Sequence, residues 1–219
     1  MPDQTISTIN LWKQMGDVPE WVWERTDAEV LILAANGLTE VSENIGEMRG
    51  LVTLDLGHNR LTAVPESLGD LSGLSKFLYL HDNRLSGLPD SLGNLKRLRY
   101  LNLSQNAFAS LPACVSEMES LIELRVTDNE ITTLPERLGQ LKLLRELHLR
   151  NNRLTGLPIS IGALAELRQI DLRGNPIASL PEELLKLPKL EKIDLRWVDV
   201  SRFVVVLDRL EVRGCVVYR

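Results

Sequence analysis

An asparagine returns along this chain at a nearly fixed interval: Asn36, Asn59, Asn83, Asn106, Asn129, Asn152 and Asn175, with gaps of 23, 24, 23, 23, 23 and 23 residues. No other feature restricts the fold as much. A unit of that length cannot bury its apolar side chains alone, so the units must stack, each touching only its neighbours, into a solenoid. The unit reads L-x-x-L-x-L-x-x-N-x-L-x-x-L-P-x-x-L-G-x-L and is clearest from residue 143 onward. Leu144, Leu147 and Leu149 alternate inward around a short strand, and Leu154, Leu157, Ile161 and Leu164 fill the rest of the coil. Asn152 ends the strand, where its amide can both donate to and accept from loop backbone that water cannot reach. Pro158, with Pro65, Pro89, Pro112, Pro135 and Pro181, fixes the backbone angle as the chain enters the outer segment.

This pattern resembles the leucine-rich repeat family in its 23-residue class with a Leu-Pro pair, and is similar to the plant intracellular Ras-group repeat proteins and the animal Ras-pathway scaffolds. The resemblance spans roughly residues 28–198. It implies an α/β fold: a right-handed, horseshoe-shaped solenoid with a concave parallel β-sheet, short helical or 3-10 convex segments and a protein-binding role. Strand spacing agrees, because strands stack about 4.7–4.9 Å apart while bulkier outer segments need more room, so the stack bends. The organisation expected is an N-terminal cap over residues 1–28, about eight repeat units over 29–198, and a C-terminal cap over 199–219.

The first 28 residues read as a degenerate repeat. Ile6, Ile9 and Leu11 keep the strand spacing, Gln14 stands where Asn would, and Trp12, Trp21 and Trp23 are expected to cover the open apolar end of the stack. The single gap of 24 falls in residues 71–83. Counting back from Asn83 turns Leu78 and Leu80 inward and Phe77 and Tyr79 outward, with a bulge near Ser75. At the other end Val198 replaces the ladder Asn. Phe203, Val206, Leu207 and Leu210 then follow at helical spacing, Gly214 suits a helix stop, and Val216 and Tyr218 lie 23 residues after Ile193 and Leu195, which predicts a closing strand in that register.

Net charge of -5 argues against nucleic acid or an anionic membrane as the main partner. Cys114 and Cys215 lie about four repeats apart and cannot meet in a linear stack. With no cysteine-rich caps, no signal peptide and no long apolar run, a cytoplasmic, monomeric protein is expected.

Function must sit on the positions the repeat leaves free. The outward columns of the sheet are Val30, Thr53, Phe77, Tyr100, Glu123, Glu146, Gln169, Lys192; then Ile32, Asp55, Tyr79, Asn102, Arg125, His148, Asp171, Asp194; then Ala34, Gly57, His81, Ser104, Thr127, Arg150, Arg173, Arg196. Phe77, Tyr79, His81 and Tyr100 would form an exposed aromatic cluster, the amphipathic kind enriched in interface hot spots, or else cross-strand packing that stiffens the sheet. Arg150, Arg173 and Arg196 would stack on neighbouring strands and face an anionic partner, unless Asp171 and Asp194 neutralise them internally. Asn102, Arg125 and His148 complete the expected partner-binding set.

A catalytic reading would rest on Ser104 and His81, in one column on adjacent strands, with Asp55 and Asp82 near. It lacks a strained glycine-rich turn and a site that excludes water. Metal binding by His58 and His81 lacks a close-spaced His or Cys cluster in sequence. The expectation is therefore a non-enzymatic, cofactor-free module binding a protein or peptide on its concave face. The alternatives are a scaffold in small-GTPase signalling, or the recognition part of an effector whose catalytic domain is elsewhere.

Overall fold

Among the described residues, ten strands of three residues each build one sheet, and every neighbouring pair is parallel. The computed structural model describes residues 7–219; Ile6, the first apolar position expected in the N-terminal cap, lies outside them. The strands run in chain order: β1 (Thr8–Asn10), β2 (Val30–Ile32), β3 (Thr53–Asp55), β4 (Phe77–Tyr79), β5 (Tyr100–Asn102), β6 (Glu123–Arg125), β7 (Glu146–His148), β8 (Gln169–Asp171), β9 (Lys192–Asp194) and β10 (Val216–Tyr218). The middle residue of each strand from β1 to β9 is buried in the core and its flanking residues lie on the opposite side, partly or fully exposed except Asp194, which is buried there, so the strands keep the period-2 alternation the repeat demands. The sheet is open, with β1 and β10 at its edges.

The extra residue before β4 is absorbed ahead of the strand. Lys76 N donates to Val52 O, so Lys76 occupies the place Val52 holds one unit earlier, and Ser75 is the surplus residue. The ladder resumes with Thr53 opposite Phe77, Leu78 is buried and Phe77 faces solvent. A slip of one would have reversed Phe77, Leu78 and Tyr79.

Each ladder asparagine stitches two units together. Asn152 Nδ2 donates to Val126 O at 2.8 Å and Leu149 O at 3.0 Å, while its Oδ1 accepts from Ile131 N at 3.0 Å. Asn36, Asn59, Asn83, Asn106, Asn129 and Asn175 repeat this arrangement. The residue before each of them is held at positive φ, as in Ala35, His58, Asp82, Gln105, Asp128, Asn151 and Gly174. Trp197 keeps that backbone conformation even where Val198 has replaced the Asn.

The convex side consists of short 3-10 turns. Six of them start after the recurring prolines, which sit at the N-cap in extended conformation, for example Pro65 at φ -67 and ψ 152. Neighbouring turns approach closely enough that a Cβ on Gly139 would lie 2.7 Å from the Ser160 carbonyl oxygen, which explains the repeat's glycine.

At the N-terminal end Val22 and Trp23 are buried, whereas Trp12 and Trp21 are exposed. Only one of the three tryptophans therefore covers the end of the stack. Trp12 instead follows Leu11 onto the rim, level with Ala34, because Leu11 N bonds Ile32 O and Lys13 N bonds Ala34 O.

The C-terminal register departs from the count. Helix α1 (Val204–Val212) buries Val206, Leu207 and Leu210 as its spacing predicts. It stops at Gly214, where φ is +88. Strand β10 then pairs Val216 with Lys192, Val217 with Ile193 and Tyr218 with Asp194, one residue away from the expected pairing. Val216 and Tyr218 consequently face out, 51% and 44% exposed, and Val217 packs on the core. The 23-residue count has no hold here, because a nine-residue α-helix has replaced the standard loop and 3-10 turn. Burial of Cys215 against the cap sets the alternation instead.

Candidate functional site: the concave sheet face

The pairing of β2 through β9 places the first two outward columns in the expected order, residue opposite residue. Strand β10 adds Tyr218 beside them, and the 23-residue count had hidden it. Its ring lies 5.2 Å from Lys192 Nζ and 5.5 Å from the Arg196 guanidinium carbon, a cation–π arrangement at the C-terminal end of the face.

Across β4 and β5 the aromatic side chains meet. Phe77 lies 5.4 Å from Tyr100 and 5.8 Å from Tyr79, Tyr79 lies 5.2 Å from Tyr100, and His81 lies 6.0 Å from Tyr79. Contact between the rings does not bury them: Phe77 remains 39% exposed. Burial pushes the Tyr79 phenol up and the Tyr100 phenol up to about 12, so both are neutral donors at physiological pH. Asn102 is turned to the backbone, its Oδ1 accepting from Ser104 N at 3.1 Å.

From β6 to β9 the face is charged and internally paired. Arg125 Nε donates to Glu123 Oε1 at 2.5 Å, and His148 Nε2 lies 3.2 Å from Glu146 Oε2 and 3.6 Å from Glu123 Oε1. Arg173 grips Asp171 with two bonds, at 2.9 and 2.6 Å, and reaches Asp194 at 3.5 Å. Arg196 holds Asp194 with two more, at 3.0 and 2.8 Å. Burial pushes the Asp194 carboxyl up, but the bonds from Arg196 and the charge of Arg173 outweigh it and hold the group below the usual carboxylate range. Arg150 leans on Asp128 at 3.3 Å. Asp171 and Asp194 thus neutralise Arg173 and Arg196 from within, while Arg150 is met by Asp128, a partner outside the outward columns. Between these side chains is a hollow of about 280 Å³ lined by Arg125, Arg150, Arg173 and Lys192 against Asp171 and Asp194. With Arg125 on Glu123, Arg150 on Asp128 and Arg173 on Asp171, Lys192 is the one cation of this lining without an ion-pair partner among the described residues, and it favours an anionic group there.

Ser104 Oγ accepts from Thr127 N at 3.2 Å, and His81 makes its nitrogen contact with His58, so among the described residues no Ser104 to His81 hydrogen bond forms. Glu123, Glu146 and His148 bring three donor atoms within 4.8 Å of one another, though the Arg125 guanidinium already occupies the Glu123 carboxylate. His81 is held below the ordinary imidazole range by burial and by His58 beside it.

Comparison with known proteins agrees with this geometry. A family model for a leucine-rich repeat region matches residues 29–126 and 74–152, and a second, for the leucine rich repeat, matches 142–197. Among solved structures, the plant peptide hormone receptor RGFR1 in complex with RGF2 is 30% identical, with a TM-score of 0.78 over 88% of this chain and 32% of that one. The leucine-rich repeat ectodomain of the Arabidopsis thaliana receptor kinase GASSHO1/SCHENGEN3, in complex with CASPARIAN STRIP INTEGRITY FACTOR 2, is also 30% identical. Its TM-score is 0.77, over 88% of this chain and 24% of that one. PEPR1-AtPEP1, at 24% identity and a TM-score of 0.74 over 96% of this chain and 34% of that one, shares the fold. This chain therefore spans about a third or less of each of those chains. The comparison with curated proteins finds no match. Recurrent Leu and Asn positions, ten stacked parallel strands and family models that together span residues 29–197 lead to one assignment: the chain belongs to the leucine-rich repeat family.

Proposed function

We propose that this chain is a non-enzymatic, monomeric module that binds a protein or peptide across its concave face. The observation that carries the reading is the aromatic cluster of Phe77, Tyr79 and Tyr100, which stays open to solvent on a sheet whose neighbouring charges are held in place by ion pairs. A rigid grid of this kind loses little conformational entropy on binding. The rings supply apolar contact at one end, and the hollow at β6–β9, where Lys192 has no ion-pair partner among the described residues, takes an acidic group at the other. That RGFR1, a solenoid of similar shape, is a peptide hormone receptor in complex with RGF2 supports a peptide partner. We also place the chain in the cytoplasm, where Cys114 and Cys215, both free and buried, stay reduced. Burial pushes each thiol up to about 11, which keeps it unreactive at neutral pH. A scaffold in small-GTPase signalling would use this same face; that narrower role rests on the likeness of the repeat consensus.

A displayed library of random peptides tests the reading. Wild type should enrich sequences that pair an aromatic or aliphatic residue with an acidic one, and Tyr79→Ala with Tyr100→Ala should weaken the winners by about 30-fold or more, the scale of a hot spot of about 2 kcal/mol. Equal binding of the same peptides by wild type and variant would refute it.

A further inference from the structure

Where β3 and β4 end, two imidazoles face each other nitrogen to nitrogen. His58 Nε2 and His81 Nε2 are 3.1 Å apart, with the rings edge to face at 4.5 Å. Two nitrogens bound to one metal ion at about 2.0–2.1 Å, with angles between square-planar and tetrahedral, lie about 2.9–3.4 Å from each other. The observed separation, which an N–H···N hydrogen bond spans in the free protein, also falls inside that interval.

The surroundings hold both rings in this pose. His58 and Asp82 occupy equivalent places in adjacent units, each at positive φ just before a ladder Asn, and His58 Nδ1 lies 2.7 Å from Asp82 Oδ2. An ionised carboxylate accepts only, so Nδ1 of His58 carries a proton, and the neutral ring has its lone pair on Nε2. This is the carboxylate–histidine pairing that fixes the tautomer of metal-binding imidazoles. His81 owes its place to Gly57: a Cβ there would collide with His81 Cε1 and lie 2.8 Å from Nδ1. Nδ1 of His81 is buried and has no partner, and it shares the space over Gly57 with Asp55 Oδ1. Neither Asp55 nor Asp82 pairs with a lysine or arginine among the described residues; Asp55 Oδ1 accepts only from Gly57 N, and Asp82 meets His58. The two carboxylates beside the imidazoles carry no basic partner other than His58 among the described residues, so a divalent cation between the rings would sit among opposite charges.

We propose that His58 and His81 form a two-imidazole site for a single divalent transition-metal ion such as Cu²⁺, Ni²⁺ or Zn²⁺, with Asp82 positioning the His58 ring. The two Nε2 lone pairs displace two waters from the aquated ion. The proton that His81 Nε2 donates toward His58 in the free protein relocates through solvent to His81 Nδ1, where it meets the unpartnered space beside Asp55. The remaining coordination positions stay with water. The proposal does not rest on the peptide-binding reading, although His81 also touches the aromatic cluster at Tyr79. The other donor cluster, Glu123, Glu146 and His148, is the weaker candidate because Arg125 already neutralises Glu123.

Calorimetric titration of the full chain with CuCl₂ and, separately, ZnCl₂ at pH 7.5 tests this. One equivalent should bind, Cu²⁺ more tightly than Zn²⁺. His58→Gln and His81→Ala should each weaken binding by about tenfold or more, as should Asp82→Asn through loss of the positioning carboxylate, while His148→Ala leaves it unchanged. Nitrogen-15 spectra of wild type with and without Zn²⁺ provide a readout that needs no variant: the Nε2 signals of His58 and His81 should shift and that of His148 should not. Absence of saturable binding, binding indifferent to His58 and His81, or loss of binding in His148→Ala would overturn the proposal.

Discussion

Removing the side-chain amide from the ladder should not cost the same at every rung. Asn152→Ala and Asn59→Ala each delete an Nδ2 that donates to three carbonyls. Those carbonyls keep other donors. Val126 O and Leu149 O retain the amides of Asn129 and Asn175, and Arg150 O retains Asp128 N. Leu33 O and Leu56 O retain Asn36 and Asn83, and Gly57 O retains Ala35 N. The loss therefore concentrates on the N–H groups that bonded Oδ1. In Asn152→Ala this is Ile131 N alone; in Asn59→Ala it is both Asn36 N and Leu38 N, all three of them on buried residues. An orphaned buried donor costs about 1–3 kcal/mol, so Asn152→Ala should destabilise by about 1–3 kcal/mol and Asn59→Ala by about 2–6 kcal/mol. Urea unfolding followed by circular dichroism, compared at equal slope, measures both. If Asn59→Ala costs no more than Asn152→Ala, the accounting by stranded N–H groups is wrong.

Other consequences are equally specific. Gly139→Ala should destabilise by about 1–3 kcal/mol because its Cβ would meet Ser160 backbone, whereas Gly87→Ala, which points into open space, should be neutral or gain about 0.4–1 kcal/mol; thermal melts compare them. The β10 register predicts that Val217→Asp lowers stability by about 1–3 kcal/mol more than Val216→Asp in the same urea assay, and the reverse order would restore the 23-residue count. Asp194 titrates lower in the folded chain than unfolded, so its stabilising contribution is present above the unfolded carboxylate range and is lost as pH falls through the folded value. Asp194→Asn should accordingly flatten the dependence of the unfolding midpoint on pH below about 4.

What sequence could supply here depended on whether the repeat was intact. Within the array, side-chain direction follows from counting, since Leu147 and Leu149 must both point inward and His148 between them must point out. The same count located the surplus residue before β4, because Asn83 restores the phase on its far side. Beyond Val198 no such marker exists, and the helix that fills the gap is free to deliver β10 in either phase; Tyr218 was lost from the binding face for that reason. Tryptophan burial at the N-terminus failed similarly, because one aromatic side chain is enough to cover a three-residue strand and its short turn. Pairings within the face lay further out of reach. Columns show that Asp171 precedes Arg173 by two, but not that the guanidinium turns back on that carboxylate while His58 turns toward His81.

The central claim is that partners engage the concave sheet. Affinity capture from native lysate should compare wild type with the combined Tyr79→Ala, Tyr100→Ala, Arg150→Ala, Arg173→Ala variant and with convex Arg137→Ala, once all three melt alike. A protein held by wild type and Arg137→Ala and released by the concave variant is the result predicted. Retention by the concave variant, with loss in Arg137→Ala, would contradict it and move the site to the outer surface.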